Sequence, residues 1–327
     1  MDAAIEKLTA ESAEKSKVIQ RIKDEFSKVI VGQNDLFNRM MSAIMSDGHL
    51  LLEGVPGLAK TLAISTLSQI LDMGFQRIQF TPDMLPADIR GTLIYNQSSG
   101  NFDVKKGPVF TNFVLADEIN RAPAKVQSAL LEAMQEHTVT IGDTTYNLPN
   151  PFFVMATQNP IEQEGTYPLP EAQMDRFFMK VRVEYPQRSE EKEIIRRMAG
   201  TTVPTADKAV GAQEIRELRQ FAEKIYADDT ITDYVVNLVF ASRNPKEFGI
   251  QEGFIKYGGS PRASIAFIRA AKAAAFFDGR GYVIPEDVKA VAYDVLRHRI
   301  ILSFEAEAEG LTPENMIEQL LNNVEIP

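Results

Sequence analysis

The sequence predicts an α/β protein with a parallel sheet flanked by helices over residues 1–185 and an all-helical lid-like domain over 186–327. Apolar runs of strand length at residues 50–52, 113–116, 152–157 and 177–183 lack polar alternation, as strands covered on both faces do. Between residues 29 and 184 these runs alternate with segments of helical period, the pattern of a sheet wound with helices. Beyond Tyr185-Pro186 no comparable run occurs, and residues 189–199, 212–226, 232–244, 262–277, 286–297 and 313–323 all carry a helical pattern.

Taken in order, residues 2–28 are rich in Ala, Glu and Lys without Gly or Pro, and predict one or two mostly solvated helices. Val31-Gly32-Gln33 breaks that pattern, and Leu36, Phe37, Met40, Met41 and Ile44 mark a second helix. The run at 50–52 and the segment with Leu62, Ile64, Leu67, Ile70 and Leu71 predict a strand, a tight loop and a helix; a second strand is expected at 75–80. Residues 81–112 interrupt the alternation with a short helix and a hairpin, so they form an insertion projecting from the core. Pro123 suits the first position of a helix whose Val126, Leu130, Ala133 and Met134 share one face. Residues 138–148 alternate around Gly142-Asp143 and predict another hairpin.

Composition narrows the chemistry. The 327 residues are 44% apolar, enough for a sizeable core, and 35 basic against 45 acidic residues leave a net charge of −10. That balance disfavours nucleic acid as an obligatory partner, although a local basic pair such as Lys105-Lys106 leaves a nucleic-acid motor as the alternative function. With no cysteine there are no disulfides, thiolate zinc sites or cysteine nucleophiles, and the three histidines, His49, His137 and His298, show no ligand spacing. Neither a signal-peptide pattern nor an apolar run of about 18 residues is evident, so a cytoplasmic protein without membrane insertion is the expectation.

The chain is organised around residues 49–61, HLLLEGVPGLAKT. A strand, the loop Gly54-Val55-Pro56-Gly57-Leu58-Ala59 and a helix opening with Lys60-Thr61-Leu62 make a phosphate cradle. Free N–H groups at the helix start face an anion, Lys60 adds a charge, and the Thr61 hydroxyl can ligate Mg²⁺. Ala59 stands where G-x-x-x-x-G-K-[ST] has its second glycine, and a Cβ there implies φ below zero. Asp117 and Glu118 end the strand run at 113–116. Two carboxylates there require an open strand end or an ion, with Asp117 placed for Mg²⁺ and Glu118 for polarising water. Asn159, in Ala156-Thr157-Gln158-Asn159-Pro160, can orient that water; a turn asparagine before proline explains it equally well. Ser260 and Pro261 read as N-cap and first residue of a helix, which places Arg262 at its positive end, where a cation wants an anion nearby.

With GVPGLAKT, ADEINRAP, ATQNP and EGTYPLPEAQMDRF on the page, the chain from about residue 20 to its C-terminus resembles the MoxR branch of the AAA+ ATPases, P-loop enzymes in which Ala59 is itself an accepted letter. The resemblance implies ATP and Mg²⁺ as cofactors and a homo-oligomeric ring, commonly hexameric, with nucleotide between subunits. It implies chaperone-like remodelling or activation of protein partners, among them von Willebrand A-domain proteins. It makes Arg176 an arginine finger for a neighbour's γ-phosphate, where sequence alone allows an ion pair, and matches Arg262 to the second sensor arginine. Val31-Gly32 resembles the segment packing on adenine, with apolar linker packing as the other reading. The insertion and hairpin at 81–112 and 138–148 match two inserts of the family, and Arg121 receives no role.

Overall fold

The structure, a computed structural model, describes residues 3–54, 59–159, 165–200 and 204–327. Helix α1 (Ala3–Val29) is one continuous helix, burying Ile19, Ile22 and Phe26 and leaving its charged face in water. Helix α2 (Asn34–Met45), strand β1 (Leu50–Glu53), helix α3 (Lys60–Ile70) and strand β2 (Phe75–Gln79) follow. Helix α4 (Pro86–Arg90) leads into a ribbon of β3 (Gly91–Asn96) and β4 (Asn101–Lys106). Strand β5 (Phe113–Asp117) turns into helix α5 (Ala124–Glu136), for which Pro123 is the cap rather than the first helical residue. The hairpin β6 (Thr138–Ile141) and β7 (Thr144–Asn147) precedes β8 (Phe153–Gln158), helix α6 (Glu171–Met174) and β9 (Met179–Arg182).

Helices α7 (Arg188–Met198), α8 (Ala212–Glu223) and α9 (Asp229–Arg243) then give way to strand β10 (Ile255–Tyr257). Helices α10 (Pro261–Phe277) and α11 (Pro285–Leu296), strand β11 (Ile301–Leu302), and helices α12 (Phe304–Ala308) and α13 (Pro313–Asn323) complete the chain. Among its described residues the lid is therefore helical with one antiparallel strand pair, β10–β11, which the sequence pattern missed. Runs of two and three residues are too short to impose a period of two.

The main sheet has the order β2-β5-β8-β1-β9, and every pairing in it is parallel. Alternate residues serve opposite layers, as the pleat requires. Leu50, Leu52, Phe113, Leu115, Phe153 and Met155 face the core built with α1, α2, α3 and the lid. Leu51, Val114, Ala116, Val154 and Ala156 face the core built with α4, α5 and β6. The three leucines of β1 are fully buried, and each contributes about 1.5–3 kcal/mol by leaving water.

The insertion is a ribbon exposed along its length. The cross-strand pairs Leu93–Val104 and Tyr95–Phe102 place four apolar side chains on one face, with the two rings 5.3 Å apart. At its base Gly91 and Gly107 cross so closely that a Cβ on Gly91 would meet the Lys105 carbonyl at 2.2 Å, and one on Gly107 the Ile89 carbonyl at 2.3 Å. Lys106 lies over the rings of Phe110 and Tyr146, at 4.9 and 5.2 Å, so half of the basic pair is engaged with aromatic faces.

Candidate active site

In a parallel sheet the C-terminal strand ends share one edge, and binding crevices open outside it. Here the ends of β1, β5 and β8 bring Gly54, Asp117 and Asn159 to that edge, around a cleft of about 440 Å³ with Ala59, Lys60, Thr61, Leu62 and Glu118. Val55, Pro56, Gly57 and Leu58 lie outside the described residues. The Lys60 ammonium donates to the Gly54 carbonyl across the loop. Half-burial pushes its pKa down, while the charges of Asp117, Glu118 and Glu53 push back.

Ala59 corrects the sequence reading: it sits at φ 54°, ψ 21°, in the left-handed region, as the N-cap of α3. A Cβ makes that conformation cost roughly 1–2 kcal/mol without forbidding it. Glu118 is held the same way, at φ 57°, between β5 and a 3-10 turn over Ile119–Arg121.

The two carboxylates are already occupied by this chain's own groups. Asp117 Oδ1 accepts from the Thr157 hydroxyl at 2.7 Å, and the same hydroxyl accepts the Glu118 N–H at 2.8 Å. Asp117 Oδ2 accepts Arg77 Nη2 at 2.6 Å and Nε at 3.1 Å. Glu118 Oε2 accepts Gln79 Nε2 at 2.9 Å and lies 2.9 Å from Arg121 Nε. Arg121, without a role in the sequence reading, thus gains a partner in Glu118. Arg77, Gln79 and Thr157 were missed altogether. Thr157 could have been found, since it stands two residues before Asn159 at the end of an apolar run. Arg77 and Gln79 are two polar residues alternating on β2, a pattern that any half-exposed edge strand carries.

The two arginines lie elsewhere. Arg176 precedes β9, and its backbone neighbourhood is level with the start of β1, because the Phe178 N–H donates to the His49 carbonyl. Arg176 and Arg262 line a second cavity of about 310 Å³ with Asp47, His49, Asp175 and Arg299, at the N-terminal edge of the sheet. Among the described residues the two cavities share no lining residue. A strand of four residues spans about 13 Å, so one subunit's arginines and its Lys60 sit at opposite edges of its sheet. Arg262 follows the expected cap, Ser260 accepting its N–H at 3.1 Å. Its guanidinium, half-exposed, finds Asp175 at 3.8 Å in place of a phosphate in its own cleft. Val31 and Gly32 are brought to neither cavity; the Gly32 turn, at φ 74°, lies against the Glu190 carboxylate at the start of α7.

Comparison with known proteins agrees with this geometry. Residues 49–179 match the ATPase family associated with various cellular activities (AAA), and residues 248–320 match the AAA lid domain. Chaperone MoxR1 of Mycobacterium tuberculosis is 51% identical over 311 residues, covering 94% of this chain and 82% of the relative. Protein MoxR of Methylorubrum extorquens is 30% identical, with 94% of each chain covered. A crystal structure from Cytophaga hutchinsonii, described there as a candidate ATPase, superposes with a TM-score of 0.92 at 53% identity, covering 99% of this chain and 98% of that one. A parallel sheet whose C-terminal edge carries Lys60 beside paired carboxylates, followed in the chain by an AAA lid domain, is an ATP-hydrolysing core: the chain belongs to the MoxR family of AAA+ ATPases.

Proposed function

We propose that the chain is a Mg²⁺-dependent ATPase working as a closed ring of identical subunits, commonly six, each cleft completed by two arginines of its neighbour. The observation that carries this reading is the separation of the arginines from the loop. Arg176 and Arg262 gather at one sheet edge, and Lys60, Thr61, Asp117 and Glu118 at the other. In a head-to-tail ring the first edge of one copy faces the second edge of the next, so one interface assembles the whole set.

Lys60, the N–H groups at the start of α3 and the loop from Gly54 to Ala59 would hold the phosphates, and Val31-Gly32 the adenine side. Thr61 and Asp117 would hold Mg²⁺. Two protein oxygens beside phosphate and water oxygens are its usual complement, and among the described residues no cluster of three or more acidic, His or Cys side chains could hold a metal unaided. The bound ion would neutralise charge developing on the phosphates. Glu118, once released from Gln79 and Arg121, orients and deprotonates the attacking water, and Asn159 gives that water a second hydrogen bond. Arg176 and Arg262 of the neighbour stabilise the charge on the transferred phosphoryl, a contribution of roughly 10³–10⁵ in rate for arginine fingers.

Hydrolysis serves chaperone-like remodelling of protein clients, with von Willebrand A-domain proteins as partners, in the cytoplasm. A relative of 51% identity named a chaperone supports the remodelling. Residues 1–185 form the nucleotide-binding core with its N-terminal helices, and 186–327 the lid. Phosphate release measured on Lys60→Ala, Glu118→Gln and Arg176→Ala tests the assignment. Turnover should collapse in all three, with fluorescent-ATP binding lost in the first and kept in the others. Full turnover in Lys60→Ala and Glu118→Gln would sink it.

A further inference from the structure

Asp175, the residue before Arg176, is one of the points where the lid takes hold of the core. Its Oδ1 accepts Arg299 Nε at 2.7 Å, and its Oδ2 accepts the Ser260 hydroxyl at 2.8 Å. Ser260 caps the helix that begins with Pro261-Arg262, and Arg262 Nη1 lies 3.8 Å from the same Oδ2. Arg299 is 6% exposed, and its remaining donors go to main-chain carbonyls: Nη1 to Phe178 and Val295, Nη2 to Phe177 and Asp175. All five N–H groups of the guanidinium are thereby used. Arg297 and His298 add contacts to the Lys180 and Phe177 carbonyls, at 2.7 and 3.2 Å. The turn after α11 thus grips the segment 175–180 at both ends.

We infer that Asp175 and Arg299 are positioning residues that fix Arg176 and Arg262 as one two-arginine unit, presented together to the γ-phosphate of the neighbouring subunit. This rests on the reading that both arginines act in trans. Neither positioning residue touches nucleotide. Asp175 holds the backbone of Arg176 through its place in the chain and the N-terminus of α10 through Ser260, while Arg299 locks that carboxylate and the Phe177 and Phe178 carbonyls at once. Two arginines on separate loops would each need ordering at the moment of reaction. Tied through one carboxylate, they arrive with their spacing set, and the lid of a subunit moves with the finger which that subunit offers its neighbour. A misplacement on the order of 1 Å at such a group costs about a hundredfold in rate.

The test is complementation between subunits. Asp175→Asn keeps the shape and the Ser260 bond while discharging the contact to Arg299, and Arg299→Lys keeps the charge while giving up the fork. Each should lose roughly ten- to a hundredfold in kcat with KM for ATP unchanged. Mixed with Glu118→Gln subunits, which have intact arginines but cannot turn over their own ATP, Asp175→Asn subunits should regain activity, as Arg176→Ala subunits should in the same mixture. A defect confined to the variant's own fold or cleft would not be rescued. If Arg176→Ala is rescued and both Asp175→Asn and Arg299→Lys are not, the positioning role is overturned while trans action stands. If Arg176→Ala is not rescued either, trans action and this inference fall together. Unchanged kcat in both Asp175→Asn and Arg299→Lys would also overturn it.

Discussion

Arg77 donates twice to the carboxylate oxygen Oδ2 of Asp117, from Nη2 at 2.6 Å and from Nε at 3.1 Å. A guanidinium therefore stands where the water shell of the proposed Mg²⁺ would approach, and the two cations would compete for one oxygen. Because the Arg77 side chain is half-exposed, the pair is worth only about 0.2–1 kcal/mol. Arg77→Gln should accordingly tighten metal binding by about two- to fivefold in the presence of ADP, read by Mn²⁺ paramagnetic resonance. Weaker binding would show that Arg77 supports the metal site instead of opposing it.

Thr157 links both carboxylate residues through one hydroxyl, and it is 2% exposed. Replacing it with Val leaves the Glu118 N–H buried without an acceptor and removes a donor from Asp117. The expected loss is about 1–3 kcal/mol of stability by denaturant titration. Turnover should fall further than that loss explains, since the left-handed turn at Glu118 loses its anchor.

Ala59 offers a substitution of the opposite sign. Glycine adopts φ 54° freely, so Ala59→Gly relieves roughly 1–2 kcal/mol of strain and gives back about 0.4–1 kcal/mol through a looser unfolded chain. A midpoint shift equivalent to about 1 kcal/mol of added stability is expected. A destabilised variant would mean that the Ala59 methyl makes contacts outweighing its backbone strain.

His49 gives the fold an acid dependence. It is buried just before β1, between β8 and α5, Nδ1 accepting the Val154 N–H at 3.1 Å and Nε2 facing the Met134 carbonyl at 3.0 Å. These partners require a neutral ring protonated on Nε2. Burial lowers its pKa to about 4 from the ordinary 6.5. As pH falls below 6.5 the unfolded chain takes up the proton first. The stabilisation is therefore complete above that pH and is lost down to about pH 4, at roughly 1.4 kcal/mol per unit and about 3 kcal/mol in all. His298, also buried and lowered, adds to the same trend. His49→Gln should flatten the slope of unfolding free energy between pH 7 and 5; an unchanged slope would exclude His49 as its source.

What could be read from the sequence follows the range of the interactions. Leu50–Glu53, Phe113–Asp117 and the Lys60-Thr61 helix start were legible because burial on both faces and helix capping leave local patterns. So was the Ser260 cap with Arg262 behind it. The backbone of Ala59 was not, since an alanine, whose Cβ disfavours a left-handed turn, gives no local sign of one. The Arg77 contact depends on the parallel register that sets Gln79 opposite Asp117, and no local pattern encodes pairing across 38 positions. Asp175 looked like a neighbour of Arg176 and nothing more, because the residues that give it meaning, Ser260 and Arg299, arrive from the lid.

A tilt of the ribbon of β3 and β4 would turn about the crossing of Gly91 and Gly107. Six residues per strand give an arm of about 20 Å, and a tilt of ten degrees at the base carries Tyr95, Phe102 and the tip through an arc of roughly 3 Å. Small repacking beside α4 would thus be magnified at the far end, and any side chain larger than hydrogen at the crossing would collide with the backbone facing it.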